Sequence, residues 1–188
     1  MIIWVLWEDQ RDSSGKTFGP HDLLISCLCD DQEGKFSRWF LNQRVQPNPR
    51  KGDGKVLNVL KTQLLRLEDE GAVCAVFDRD KAHRMWGQEK QPARCRTALL
   101  QKIKNDAPGA YEVVFLEQNV ETLLQACAQV LGLTAPAAKS IKGRDQMLQR
   151  VAYHPSCEIR MQVRKEVPSF DRLVRKVSIL TEQLLWRA

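Results

Sequence analysis

The chain has 188 residues, 43% of them hydrophobic and 28% charged, with a formal net charge of +6. That length buries a sizeable core, and an ordinary composition without low-complexity tracts excludes a disordered or fibrous chain. The longest apolar runs are too short to cross a bilayer, and the first one has no basic leader and is cut short by Glu8 and Asp9, so the expectation is a cytoplasmic protein without membrane contact.

In chain order, residues 2–7 form an apolar run ending in Glu8-Asp9, the pattern of a strand buried on both faces. Residues 20–29 predict a helix with Gly19-Pro20 as its entry, because proline suits a first helical turn. Residues 36–45 predict a further strand, and residues 46–55, rich in Pro, Asn, Gly and Asp, predict a loop. Val56, Leu57, Val59, Leu60, Leu64, Leu65 and Leu67 then recur at helical spacing up to Gly71. Six apolar residues, 72–77, run straight into Asp78-Arg79-Asp80, a second doubly buried strand that ends in two carboxylates. A helix over 93–104, a strand over 110–116 and a helix through Val130, closed by Gly132 and Pro136, follow.

Alternating buried strands and helices imply an α/β fold with a mostly parallel sheet flanked by helices. Residues 1–135 read as that domain, and residues 136–188 as a basic helical extension packed on it. Within the extension, residues 145–153 predict a helical turn or two and residues 157–167 fit no single pattern. A last helix begins at Pro168-Ser169 with Ser169 as its N-cap, carrying Phe170, Leu173, Val174, Val177, Leu180 and Leu184 on one face.

The six cysteines show no Cys-x-x-Cys spacing, so zinc is not expected and the thiols read as reduced and mostly buried. Charge is arranged in blocks. Residues 81–104 hold 7 Lys/Arg against 1 Asp/Glu, and residues 139–176 hold 10 against 4, while residues 105–138 hold 4 acids and no base. Basic blocks beside an acidic cluster suit a polyanion held near metal, whereas either block alone reads as a solvated helix face. Trp39 and Trp86 are candidates for stacking on bases, with packing the favoured reading of each.

In a parallel sheet all strand carboxyl ends share one edge, so Glu8, Asp78, Asp80 and Glu117 or Glu121 fall on the same side. Carboxylates converging on one crevice repel unless a divalent ion neutralises them, and oxygen-rich clusters select Mg²⁺ or Mn²⁺. Gly52-x-Gly54-Lys55 lacks the rest of a nucleotide-binding phosphate loop, so nucleotide hydrolysis is not expected there.

Glutamate after the first strand and a strand ending in Asp-x-Asp resemble the TOPRIM domain of topoisomerases, primases and nucleases related to the overcoming-lysogenisation-defect family. Within that superfamily the chain is most similar to small standalone TOPRIM-like proteins of prokaryotic defence islands. The Gly52-x-Gly54-Lys55 loop, Phe115-Leu116-Glu117-x-x-x-Glu121 and Val167-Pro168-Ser169-Phe170 add to the resemblance. It departs at Asp9, where the family usually has glycine. The resemblance implies a Rossmann-like TOPRIM fold and a Mg²⁺- or Mn²⁺-dependent nuclease or phosphodiester-transfer subunit acting on DNA or RNA. It also implies an antiviral setting and an ATPase partner encoded alongside; a second copy of the chain as partner stays open. Carried over, Glu8 is a metal ligand or general base, Asp78 and Asp80 are metal ligands, and Glu117 and Glu121 are candidates for a second metal. Lys142 is the assisting cation of the chemistry, with Lys55, Arg84, Lys139 and Arg144 expected on nucleic acid. The alternative is a non-catalytic nucleic-acid-binding or sensor subunit.

Overall fold

The computed structural model describes residues 2–11, 18–32, 35–64, 71–78, 100–101, 111–116, 120–137 and 139–185. Four parallel strands, β1 (Ile2–Asp9), β2 (Val45–Lys51), β3 (Gly71–Asp78) and β4 (Tyr111–Leu116), form one sheet in the order β2-β1-β3-β4. Seven helices accompany them among the described residues: α1 (Gly19–Asp31), α2 (Arg38–Arg44), α3 (Asp53–Leu64), α4 (Val120–Val130), α5 (Ile141–Ala152), α6 (Cys157–Glu166) and α7 (Pro168–Leu185). The fold is therefore α/β with an all-parallel central sheet, as the alternation of apolar runs implies.

Strand periodicity splits the core into two layers. Ile3, Val5 and Trp7 of β1, with Ala72, Cys74 and Val76 of β3, face α1, α4, α5, α6 and α7 in one large apolar cluster. Leu6, Val73, Ala75 and Phe77 face Val56, Leu57 and Leu60 of α3 in a smaller one. The doubly buried strands thus read as continuous apolar runs because helices cover both faces. Met147, Leu148, Val163, Phe170, Leu173 and Val177 belong to the same large cluster as β1, so α5, α6 and α7 contribute to the core. At Gly19 an added Cβ would lie 2.8 Å from the Asp145 Cα and 2.9 Å from the Leu148 Cβ, which lets α1 and α5 pack backbone against backbone.

The sequence expectations fail in three places. Residues 36–45 hold helix α2 and not a strand: Ser37 caps it by accepting from the Phe40 N–H at 3.2 Å, and only Leu41 is buried. Residues 46–51, expected as loop, belong with Val45 to β2 at the sheet edge, pairing with β1 from Ile3↔Val45 to Asp9↔Lys51. Pro47 and Pro49 share one orientation in the strand, so both missing N–H groups fall on the outer edge and the ladder to β1 stays intact. Ser169 is not the N-cap of the last helix; α7 begins at Pro168, and Ser169 is buried inside its first turn.

Elsewhere the differences are of extent. Helix α3 starts at Asp53 and α5 at Ile141, capped by Ser140, and the unpatterned stretch 157–167 is helix α6 with Ser156 as cap. Gly132, at φ 65°, ends α4 in the left-handed conformation. Of the helix expected over 93–104, only Leu100 and Gln101 lie among the described residues, and both are helical.

Candidate functional site

The chain leaves β1 for β2 on one side and returns to place β3 on the other, so the strand order reverses between β1 and β3. In open α/β sheets the crevice beyond the carboxyl ends at such a reversal is where ligands bind. Glu8 and Asp78 are the residues there. Glu8 is 1% and Asp78 4% exposed, and the Asp78 backbone N–H donates to Glu8 Oε2 at 3.0 Å. Two acids at adjacent strand ends are thus buried and joined through one hydrogen bond, because apolar runs carry both strands to the same edge before their first charges.

Asp80, Glu117 and Arg84 lie outside the described residues. Glu121 is half-buried in the first turn of α4, at the same edge as the end of β4. Among the described residues no group of three or more His, Cys, Asp or Glu side chains is arranged to hold a metal ion. Glu8 and Asp78 offer hard carboxylate oxygens, chemically suited to Mg²⁺ or Mn²⁺.

Arg144 has a different place from the one expected. It is 1% exposed, and its Nη2 donates to both oxygens of Asp9 at 2.8 and 3.0 Å. Beside this pair, Arg11 donates from both Nη atoms to Asp145 at 2.8 Å, while the Gly19 N–H donates to the same carboxylate at 3.1 Å. Arg11 Nε also lies 3.5 Å from Asp9. The two ion pairs lock the first turn of α5 and the entry of α1 to the carboxyl end of β1. Arg144 is therefore a buried structural partner, and contact with nucleic acid would require it to leave Asp9. The lock carries Lys142, exposed in the same turn of α5, to this edge; Lys139 is exposed just before that helix.

At least half of the ten basic residues at 139–176 pair with acids of the chain itself. Besides Arg144, Arg160 pairs with Asp30 at 2.6 Å, Arg164 and Arg175 each pair with Asp171 at 2.7 Å, and Lys176 pairs with Glu112. The Gly52-x-Gly54-Lys55 loop is a tight turn with Gly52 at φ 85°. The Lys55 and Val56 N–H groups both donate to the Gly52 carbonyl at 3.2 Å, and the Gly54 N–H donates to Asp53 Oδ1 at 2.9 Å. These amides are engaged within the chain, which leaves this helix start poorly equipped to cradle a phosphate. Lys55 is exposed there.

Asp53 is an acid that the sequence reading passed over. It is buried at the start of α3, on the same sheet edge, and its Oδ2 accepts no hydrogen bond among the described residues. The signal was an acid at a helix start just beyond a strand, hidden while residues 46–55 read as loop. Burial pushes the Cys27 and Cys74 thiols up to about 12 and raises Cys127 further, which disfavours the reactive thiolate at these three positions.

Comparisons with protein-family models, with curated proteins and with solved structures return no match to this chain.

Proposed function

We propose that the chain is a TOPRIM-like, Mg²⁺- or Mn²⁺-dependent nuclease or phosphodiester-transfer subunit acting on nucleic acid. The observation that carries this reading is the pair Glu8 and Asp78, buried side by side where the order of a parallel sheet reverses. Burying two carboxylates costs free energy unless opposite charge or hydrogen bonds offset it, and a bound cation is one such offset. On this reading Glu8 and Asp78, with Asp80, hold the ion, and Glu117 and Glu121 serve a second. The ion would supply Lewis acidity toward a phosphate oxygen. The role left to this chain's own residues is to fix the two carboxylates through the Asp78 N–H and to bring Lys142 to the edge through the Arg144–Asp9 pair.

A second reading is a binding or sensor subunit that cleaves nothing. What favours it is that Asp9 stands where the resembled family usually has glycine and that its carboxylate is neutralised by an arginine of the chain itself. Incubation of labelled DNA and RNA with purified protein and Mg²⁺ or Mn²⁺, beside the Asp78→Ala variant, separates the two. The nuclease reading expects cleavage that falls by roughly a hundredfold or more in the variant. Cleavage by neither protein, with salt-dependent binding by both, leaves the binding module. Equal cleavage by both removes Asp78 from the chemistry.

A further inference from the structure

The described surface has a second feature suited to nucleic acid, and it lies at the other end of β1. Between residues 35 and 51 the chain carries five basic residues and no acid. This stretch comprises helix α2 and edge strand β2, and no described strand pairs with the outer side of β2. Trp39, on α2, is 72% exposed, the largest exposure among the described large apolar residues. Leu41 anchors the opposite side of the same short helix in the core. An indole held out from a rigid helix gains nothing for folding, since its apolar area stays in water.

The neighbours of Trp39 indicate what would cover it. Lys35 and Arg44 are exposed at either end of the helix, with the Arg44 guanidinium 5.7 Å from the Phe40 ring centre. Gln43, one turn beyond Trp39, is exposed on the same face and offers both a donor and an acceptor. Arg38 lies 4.3 Å from the ring centre of Tyr153, which is itself 58% exposed, so a second aromatic adjoins the helix. Aromatic faces interleaved with cations and amides match unstacked bases on a phosphate backbone better than they match an apolar protein surface. The helix also leads somewhere. Its last residue joins β2, whose open edge runs to Arg50 and Lys51, level with Glu8 and Asp9 in the sheet register. From Ile3, paired to the start of β2, to Glu8 is a span of about 17 Å along the strand.

We infer that α2 and the open edge of β2 form a docking track for single-stranded nucleic acid, with Trp39 stacking on a base and the basic residues of 35–51 following the phosphates towards the Glu8–Asp78 edge. The inference deepens the nucleic-acid reading above and rests on it for the substrate class. Duplexes fit poorly, because their bases are already stacked and offer Trp39 no face.

The test is fluorescence anisotropy of labelled single-stranded DNA, single-stranded RNA and duplex DNA, in EDTA so that nothing is cleaved. Trp39→Ala is expected to weaken single-strand binding roughly tenfold, and Trp39→Phe to restore most of it. Arg44→Glu and Lys51→Glu should each weaken binding and flatten its dependence on salt. The DNA and RNA arms report which backbone the track accepts. Wild-type affinity in Trp39→Ala and Arg44→Glu, duplex bound as tightly as single strand, or no binding by the wild type overturns the track. The metal-dependent cleavage assay keeps the two proposals apart. Cleavage unchanged in Trp39→Ala with binding unchanged overturns the track alone, whereas Trp39-dependent binding without any cleavage overturns the nuclease alone.

Discussion

Replacing Arg144 with alanine is expected to destabilise the protein by about 3–5 kcal/mol, the cost of stranding a buried charge whose partner is removed. Arg144 and Asp9 are both buried, and the guanidinium is within 3.0 Å of both carboxylate oxygens. Alanine leaves Asp9 with the Gln10 N–H and the more distant Arg11, neither of which replaces a charged two-oxygen contact. In a chain of this length the loss corresponds to a fall in Tm of about 10 °C, read by differential scanning calorimetry. The double variant Asp9→Leu/Arg144→Met removes both charges and is expected to recover most of the loss. An Arg144→Ala protein as stable as wild type, or a double variant no better than the single one, would show that the pair does not join β1 to α5 as described.

Acidification should destabilise the protein through His21. This side chain is wholly buried at the start of α1, and desolvation, with Arg38 adding to it, lowers its pKa to about 4 despite a hydrogen bond with the Val45 backbone. Above the ordinary value of 6.5 both folded and unfolded chains carry neutral His21, and the group contributes no pH dependence. Between 6.5 and about 4 the unfolded chain takes up a proton that the folded chain refuses, so stability falls as pH falls. The full loss is about 3 kcal/mol, reached below the folded value. Urea unfolding at pH 7 and pH 4.5 should therefore show a smaller drop for His21→Gln than for wild type, whatever their absolute stabilities. Parallel drops would mean that His21 does not titrate differently in the two states.

Much of the fold was legible because its strands are doubly buried. Residues 72–77 and 2–7 are continuous apolar runs, and the charges that end them, Asp78 and Glu8, are the ones that the sheet brings together. Strand β2 was not legible, since an edge strand needs few apolar residues and tolerates two prolines whose missing N–H groups face the open edge, so its composition is that of a loop. Helix α2 was misread because Phe36, Trp39 and Phe40 carry strand propensity, while a single serine cap and one buried leucine decide the outcome. Arg144 shows the limit for the site. A charge block is counted along the chain, but its neutralisation comes from Asp9, 135 positions away, and no local pattern announces it. Trp39 shows the reverse limit: an aromatic in an apolar context reads as packing, and only its exposure reveals a surface.

The most direct test of the central claim is a calorimetric titration of Mn²⁺ into wild-type protein, Glu8→Gln and Asp78→Asn. Glutamine keeps an oxygen for the Asp78 N–H, and asparagine keeps the size of aspartate, so both variants retain the packing while removing one negative charge. The wild type is expected to bind Mn²⁺, and each substitution to weaken that binding by roughly tenfold or more. Identical binding by all three proteins, or none by the wild type, would contradict a metal site at the ends of β1 and β3.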